Sequence, residues 1–213
     1  MINPCSVNNN DSDNIEGASA YQSPINLSSL NCKCCFELSG TFQSNRPLPT
    51  VNNIISNYKY DKPTKEWNVE NDVSVVNNNE KYTLMKFHFH QKSDHTIDNR
   101  GYDIELHLVF ESEAENVMVI AIIARLTNSD RSSSLITKII NNEQFRIPQI
   151  RKYWSYGGSL STPPFDDSIT WNVSSHILRI TEEDLLYLKN KSKRERPIQE
   201  QNGRNIIYSD VCS

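Results

Sequence analysis

Short runs rich in β-branched and aromatic residues dominate the middle of this chain and restrict it to a sheet-based fold. The runs span residues 67–76, 82–91, 102–111, 117–126 and 168–173. Side chains of these types suit a pleated, half-buried surface, so each run predicts a strand. The cluster Asn77-Asn78-Asn79 falls between the first two runs and predicts a turn.

Two helices are predicted beside these strands. Residues 132–142 bring four apolar side chains to one helical face, namely Leu135, Ile136, Ile139 and Ile140. Residues 181–184 read Thr-Glu-Glu-Asp and resemble a capping box ahead of leucines at 185, 186 and 188. The pattern therefore predicts a mainly β (α+β) fold, in which a mostly antiparallel sheet carries short peripheral helices.

The length of 213 residues suits one domain with a sizeable core. Residues 1–20 are polar and Asn-rich without apolar periodicity, which predicts a loose N-terminal arm. Residues 21–213 then form a single domain. Hydrophobic residues make up 37% and charged residues 23%, an ordinary balance for a folded, soluble protein.

Charge and hydropathy argue against two classes of partner. A net charge of -4 gives no general attraction to nucleic acid. No stretch approaches the roughly 18 apolar residues that a membrane span needs. The first residues also lack the basic and apolar regions of a signal peptide, which favours a cytoplasmic location.

The five cysteines are Cys5, Cys32, Cys34, Cys35 and Cys212, and an odd number leaves at least one thiol unpaired or available to another chain. The cluster at 32–35 resembles a metal site, but no second Cys or His pair lies near it in sequence. We therefore interpret it as structural or incidental thiols rather than a zinc knot. Cys212 could link two chains in a disulfide dimer, and a free thiol on a tail is equally consistent.

Two histidines alternate with two phenylalanines in the strand predicted at 82–91. Because side chains alternate between the faces of a strand, His88 and His90 share one face while Phe87 and Phe89 share the other. Two imidazoles spaced in this way can reach one ion. Taken alone, the pair is more typical of two hydrogen-bonded histidines near a surface.

A third histidine, in the next predicted strand, reverses that balance. His107 shares a strand face with Glu105, two residues earlier. Three neutral imidazoles with an open fourth position are the donor set of a catalytic zinc ion. A ligating imidazole usually donates its other N–H to a carboxylate, which fixes the tautomer, and Glu105 could supply that carboxylate.

Motifs spread over most of the chain resemble the α-class carbonic anhydrase family. In chain order they are Tyr21-Gln-Ser-Pro-Ile-Asn26, Phe87-His-Phe-His-Gln-Lys-Ser-Asp-His95-Thr-Ile-Asp98, Glu105-Leu-His-Leu-Val109, Tyr156-Gly-Gly-Ser-Leu-Ser-Thr-Pro-Pro164 and Thr170-Trp171. The resemblance implies a large twisted sheet with zinc in a conical cavity. It also implies a lyase that hydrates carbon dioxide reversibly to bicarbonate and a proton through a zinc-bound hydroxide.

The resemblance assigns His88, His90 and His107 as zinc ligands and Glu105 as the acid behind the third. Ser161 stands where the family has the hydroxyl that accepts a hydrogen bond from the zinc hydroxide, and Asp94 where a glutamate takes that hydroxyl's proton. The remaining matches border the substrates: Thr162 at the bicarbonate site, and Val109, Val119, Leu160 and Trp171 in the apolar wall for carbon dioxide. Each wall residue taken singly is better explained by plain core packing, and only the joint match of the four favours the pocket.

Several positions depart from the family pattern. Lys65 occupies the usual position of the proton-shuttling histidine, and a lysine holds its proton too tightly to relay it at neutral pH. Lys86 replaces a glutamine that would accept the second N–H of His88, and lysine has donors only. Phe165 stands where secreted members carry a disulfide-forming cysteine after the Thr-Pro-Pro motif, which favours a reducing compartment.

Two other functions remain open. The first is a catalytically weak or inactive binding module that recognises a polyanion such as a sulfated polysaccharide through the basic stretch at 189–196. A solvated helix end is the simpler explanation of that stretch, because the helix dipole favours cations there. The second is a structural zinc, which is disfavoured because no fourth protein ligand can be named.

Overall fold

The structure, a computed structural model, describes residues 20–29, 41–44, 48, 53–77 and 79–210, except for the side chains of 41–44. All five cysteines and residues 1–19 of the arm lie outside these ranges. The arm, the interpretation of the cysteine cluster at 32–35 and the Cys212 dimer therefore stay predictions. Among the described residues, no helix is long and apolar enough to cross a membrane.

Fourteen strands and two helices make up the described part of the chain. The strands are β1 (Asn26–Leu27), β2 (Thr41–Ser44), β3 (Tyr58–Asp61), β4 (Glu66–Val69), β5 (Ser74–Asn77), β6 (Glu80–Gln91), β7 (Thr96–Ile97), β8 (Ile104–Ser112), β9 (Val117–Leu126), β10 (Lys152–Gly158), β11 (Ile169–Ser174), β12 (Leu178–Ile180), β13 (Lys193–Arg194) and β14 (Ile206–Asp210). The helices are α1 (Ser134–Ile140) and α2 (Glu182–Lys189).

Twelve of these strands join one sheet in the described part of the protein. Its main order is β2-β14-β10-β11-β9-β8-β6-β4-β3, with β5 and β13 also paired to β6 and β12 to β9. Most neighbours run antiparallel, whereas β9–β11, β9–β12, β6–β13 and β2–β14 are parallel pairs. The predicted fold class, a large and mostly antiparallel sheet with short helices, is confirmed.

The run predicted as one strand at 67–76 is two strands, β4 and β5, and both pair with the long β6. The break falls at Asn71, whose side-chain oxygen accepts from the backbone N–H of Asn57 at 3.1 Å, while its amide donates to the Ile54 carbonyl at 2.9 Å. These bonds to a distant segment replace the sheet ladder at this point. The predicted turn follows β5, where Asn77 pairs with Glu80 and Asn79 takes the left-handed φ of 66° that a tight hairpin favours.

Both predicted helices are present and peripheral. Helix α1 buries Leu135, Ile136 and Ile139 against the sheet, as its apolar spacing predicts. In α2 only half of the predicted capping box forms, because the Thr181 hydroxyl accepts from the Asp184 N–H at 3.2 Å while the Thr181 N–H donates to Ser132.

Alternate residues of β8 and β9 pack on opposite faces of the sheet, and both faces are covered. Leu106, Leu108 and Phe110 join the larger apolar cluster, which also contains Phe87 and Phe89. Val109 and Val119 belong to the second cluster on the other face. The histidines of β6 and β8 share this second face, so the fold sets them into the smaller core.

Candidate metal centre

The pairing of β6 with β8 brings the three predicted histidines together. His88 lies directly opposite His107, and His90 lies opposite Glu105. The ring centroids are 5.0 Å apart for His88 and His90, 5.2 Å for His88 and His107, and 4.6 Å for His90 and His107. All three side chains are buried, and their nitrogens lie within 4.8 Å of one another, which suits a single metal ion.

Aromatic packing on the opposite face fixes the direction of the two β6 histidines. Trp67 of β4 stacks on Phe87 with ring centroids 5.4 Å apart and meets Phe89 edge-on at 5.7 Å. Both phenylalanines are fully buried. Because neighbouring side chains of a strand point to opposite faces, this anchoring turns His88 and His90 towards His107.

Hydrogen bonds to the ring nitrogens define which of them remain for a metal. The second nitrogen of two rings is engaged: His90 Nδ1 lies 2.9 Å from the Arg194 carbonyl, and His107 Nε2 lies 2.9 Å from Glu105 Oε1. These contacts leave Nε2 of His90 and Nδ1 of His107 available. His90 Nε2 is in turn 3.1 Å from Nε2 of His88, close enough for both to share one ion at Zn–N distances of about 2.0–2.1 Å.

Burial keeps most of this donor set neutral, the state that a metal requires. Burial, reinforced by the neighbouring imidazoles, holds the pKa of His88 well below its ordinary value. Burial likewise lowers the pKa of His107. His90 differs, because the carboxylate of Asp94 outweighs the effect of burial and raises its pKa.

A buried network holds Glu105 behind His107. The Glu105 carboxylate accepts from the backbone N–H of His95 at 2.8 Å and lies 2.7 Å from His95 Nδ1. The other ring nitrogen of His95 is 2.6 Å from the hydroxyl of Tyr156. Burial alone would raise the pKa of Glu105, but His95 and His107 hold it well below its usual range. The carboxylate therefore stays ionised and can fix the tautomer of His107.

Asp94 is buried beside His90, and one of its oxygens is left without a partner. Asp94 Oδ1 lies 3.2 Å from His90 Nδ1 and accepts from the backbone N–H of Arg196 at 2.9 Å. Asp94 Oδ2 has no hydrogen-bond partner among the described residues. The hydrogen bond expected from Ser161 to this oxygen is therefore absent in this structure, while the other oxygen contacts His90 and Arg196.

Arg196 connects Asp94 with the segment that carries Ser161 and Thr162. Its backbone N–H donates to Asp94, and its guanidinium donates to the Leu160 carbonyl at 3.4 Å. Ser161 is buried and Thr162 half-buried.

The four predicted wall residues, Val109, Val119, Leu160 and Trp171, gather in the second core cluster, with Leu160 packed against its edge. Val119 pairs with Val109 on one side and with Trp171 on the other. The Trp171 ring meets the His107 ring edge-on, with centroids 4.9 Å apart, and its indole N–H donates to the Ser159 carbonyl at 2.9 Å. The apolar residues thus lie directly beside the histidines.

The two lysines predicted to depart from the family pattern are both tied to protein groups. Lys65 has the left-handed φ of 55° and donates to the Ser192 carbonyl at 3.0 Å. Lys86 pairs with Glu66 at 3.0 Å, and the buried His88 Nδ1 has no hydrogen-bond partner within the described ranges.

Sequence reasoning missed Glu66, a buried acid whose Oε1 lies 3.9 Å from His88 Nδ1. A signal was present, because Trp67 of β4 pairs with Phe87 of β6, which places Glu66 and His88 on one face of the sheet. To find Glu66 from the sequence, one would have had to predict the register between β4 and β6.

Most cations of the basic stretch make contacts within the protein. Lys193 pairs with Glu66 at 2.5 Å, and Lys191 donates to the Tyr187 hydroxyl at 2.6 Å. Arg196 stacks on the Phe165 ring at 3.8 Å and donates to the Ser23 carbonyl at 2.8 Å. The ion pair with Glu66 neutralises the charge of Lys193, whereas Lys191 and Arg196 contact neutral groups and keep their charge.

Proteins similar to this chain in sequence and in fold include several carbonic anhydrases. Alpha carbonic anhydrase 4 of Arabidopsis thaliana is 26% identical over 210 residues, covering 89% of this chain and 75% of the relative. The carbonic anhydrase of Pectobacterium carotovorum is 29% identical over 203 residues, covering 88% and 79%. The solved α-carbonic anhydrase of Thermovibrio ammonificans, in complex with the inhibitor sulfanilamide, superimposes with a TM-score of 0.73 at 22% identity, covering 88% and 87%.

The decisive match is to a whole family rather than to one relative. The model of the family described as eukaryotic-type carbonic anhydrase matches residues 10–210, nearly the full length of the chain. This protein therefore belongs to the eukaryotic-type (α-class) carbonic anhydrase family, a family of lyases that hydrate carbon dioxide.

Proposed function

We propose that this chain hydrates carbon dioxide reversibly at one zinc ion held by His88, His90 and His107. The observation that carries the proposal is the convergence of three buried imidazoles, two of which have their second ring nitrogen engaged in a hydrogen bond and so keep the other for a metal. Among the residues that the structure describes, three protein ligands converge here, which leaves a coordination position open, as in catalytic rather than structural zinc sites.

His88, His90 and His107 would hold the zinc, which would supply a Lewis acid able to lower the pKa of a water molecule to about 7. The chain's own residues then divide the remaining work. Val109, Val119, Leu160 and Trp171 offer carbon dioxide, which has no charge, an apolar surface next to the histidines. Thr162 borders the bicarbonate product.

Ser161 and Asp94 orient the reactants in this proposal. If the Ser161 hydroxyl gives its proton to a carboxylate, it can only accept a hydrogen bond from the reacting oxygen, and this restricts the direction of attack. The unpartnered Oδ2 of Asp94 is the acceptor that this hydroxyl needs. A buried carboxylate oxygen without a partner is costly, which favours such a contact in the working enzyme.

The proposal includes slow proton export, because no histidine of the chain is placed to relay protons. Of the five histidines, three are the proposed ligands, His95 is buried behind Glu105, and His176 is exposed beyond β11. Lys65, at the shuttle position, donates to the Ser192 carbonyl. Dissolved buffer must then carry the proton away.

Metal content and carbon dioxide hydration, measured on one purified sample, test the proposal. We expect about one zinc per chain and hydration activity in the wild type, and loss of both in His107→Ala. His176→Ala is the matched control, since it removes an exposed imidazole outside the site. A protein that takes up no zinc when zinc is supplied would refute the metal assignment, and one that binds zinc without activity would favour the binding module.

A further inference from the structure

Glu66 is the centre of a charge cluster directly behind His88. Its side chain is only 9% exposed, and its two oxygens are held by Lys193 at 2.5 Å and by Lys86 at 3.0 Å. The three residues come from β4, β6 and β13, so the sheet itself assembles the cluster. Two cations on one carboxylate keep it ionised and fix its position.

One of the three histidines has a ring N–H for which the described residues provide no hydrogen-bond acceptor. A ligating imidazole is neutral and carries its proton on the nitrogen that does not face the metal. For His90 that N–H meets the Arg194 carbonyl, and for His107 it meets Glu105. For His88 it is Nδ1, which is buried and has no hydrogen-bond partner among the described residues.

Glu66 offers a carboxylate oxygen close to that nitrogen. The distance from His88 Nδ1 to Glu66 Oε1 is 3.9 Å, about 1 Å beyond a normal N–H···O bond. A gap of this size closes through a small side-chain movement or through one bridging water. Lys86, the neighbour on the other side, offers only donors.

We propose that Glu66 is the positioning residue of His88: on metal binding it accepts the Nδ1–H of His88, directly or through one water, and so fixes the Nε2-ligating tautomer. The inference rests on the proposed function, because it assumes that His88 is a ligand. In the family pattern, a glutamine at the position of Lys86 on β6 would accept this N–H. Lys86 cannot accept it, so we assign the task to the Glu66 carboxylate on β4. Lys86 and Lys193 hold this carboxylate in place rather than contact the metal.

Zinc affinity of the full-length protein, measured by competition with a chromogenic chelator, tests the inference without any activity assay. Glu66→Ala should weaken zinc binding by about 10- to 100-fold, the usual cost of removing an acceptor behind a ligating histidine. Glu66→Gln should lose less, because its amide oxygen still accepts. Glu70→Ala is the matched control, since Glu70 is an exposed acid four residues further along the same segment.

Removing Glu66 also leaves two lysines without their partner, and a pair of double variants separates this charge effect from the hydrogen bond. In the Glu66→Ala background, Lys86→Gln supplies an acceptor beside His88, whereas Lys86→Met removes the same charge without supplying one. We expect Lys86→Gln to restore zinc affinity and Lys86→Met to leave it weak. Equal recovery in the two double variants would show that charge alone matters and would overturn the inference.

A spectroscopic readout reports the bond itself. In zinc-loaded wild type the His88 Nδ1–H proton should exchange slowly with solvent and give a downfield resonance, which should disappear in Glu66→Ala and remain in Glu70→Ala. Unchanged zinc affinity and an unchanged resonance in Glu66→Ala, with one zinc still bound, overturn the inference and leave the proposed function standing. Failure of the wild type to bind zinc overturns both.

Discussion

Glu105→Gln is the most informative single substitution, because it changes one buried atom and leaves the side-chain shape intact. Glu105 accepts from the His95 backbone N–H and lies within 2.9 Å of a ring nitrogen of both His95 and His107. A glutamine at the same place offers one acceptor oxygen and an NH₂ group that faces a donor. At least one of the three contacts must then be lost.

The size of the effect follows from those contacts. Hydrogen bonds to a charged group contribute about 1.5–3 kcal/mol each, and a buried donor left unpaired costs about 1–3 kcal/mol. Because the site is fully buried, solvent cannot replace the lost contact. We expect the zinc-free protein to lose about 3–5 kcal/mol of unfolding free energy. Zinc affinity should fall about 10- to 100-fold, because His107 can then adopt either tautomer.

Urea unfolding in the presence of a chelator measures the first quantity, and chelator competition measures the second. Glu111→Gln is the matched control, since Glu111 is an exposed acid on the same strand, β8. It should change the unfolding free energy by no more than about 0.5 kcal/mol. A loss below about 1 kcal/mol for Glu105→Gln, with normal zinc affinity, would show that Glu105 does not fix His107.

Three further predictions concern catalysis and pH. Lys65→His should raise hydration in dilute buffer and change little in concentrated buffer, as measured by stopped flow; a wild type that is already fast in dilute buffer would reveal another proton path. Ser161→Ala should slow hydration on the order of 10²-fold with zinc content unchanged, and equal rates would mean that the hydroxyl is not used. The unfolding free energy of the zinc-free protein should fall as pH drops below about 6.5, because the pKa values of His88 and His107 are lower in the folded than in the unfolded state. The stability that these two groups contribute is complete above the unfolded-state pKa. It is lost as pH falls towards the folded-state pKa. The raised pKa of His90 has the opposite effect, but it is one group against two. An unfolding free energy that increases on acidification would therefore contradict these pKa directions.

What the sequence could predict was set by local periodicity. The alternation of two phenylalanines with His88 and His90 defines both faces of β6, and β9 spans the residues that its composition predicts, Val117–Leu126. To predict that the three histidines lie together, one further assumption is needed, namely that β6 and β8 are neighbours in the sheet. Sequential strands often pair, so this part of the site was accessible.

The features that escaped prediction depend on contacts between distant segments. The division of residues 67–76 into β4 and β5 follows from hydrogen bonds between Asn71 and residues 54–57. The place of Glu66 depends on Lys193, more than a hundred residues away. Neither contact has a local periodic pattern, because it is set by the order and register of the strands.

Arg196 holds the loop that carries Phe165 by non-covalent contacts, near the place where secreted relatives are expected to form a disulfide. In those relatives the bond would join the segment after the Gln-Ser-Pro-Ile motif to the residue after Thr-Pro-Pro, which is Phe165 here. The Arg196 guanidinium donates to Gln22 and to the Ser23 carbonyl on one side, and it stacks on Phe165 on the other. Its backbone N–H also holds Asp94. Arg196 thus links the Gln-Ser-Pro-Ile motif itself and Phe165 to the acid beside His90 without a covalent bond, so this linkage does not depend on an oxidising compartment.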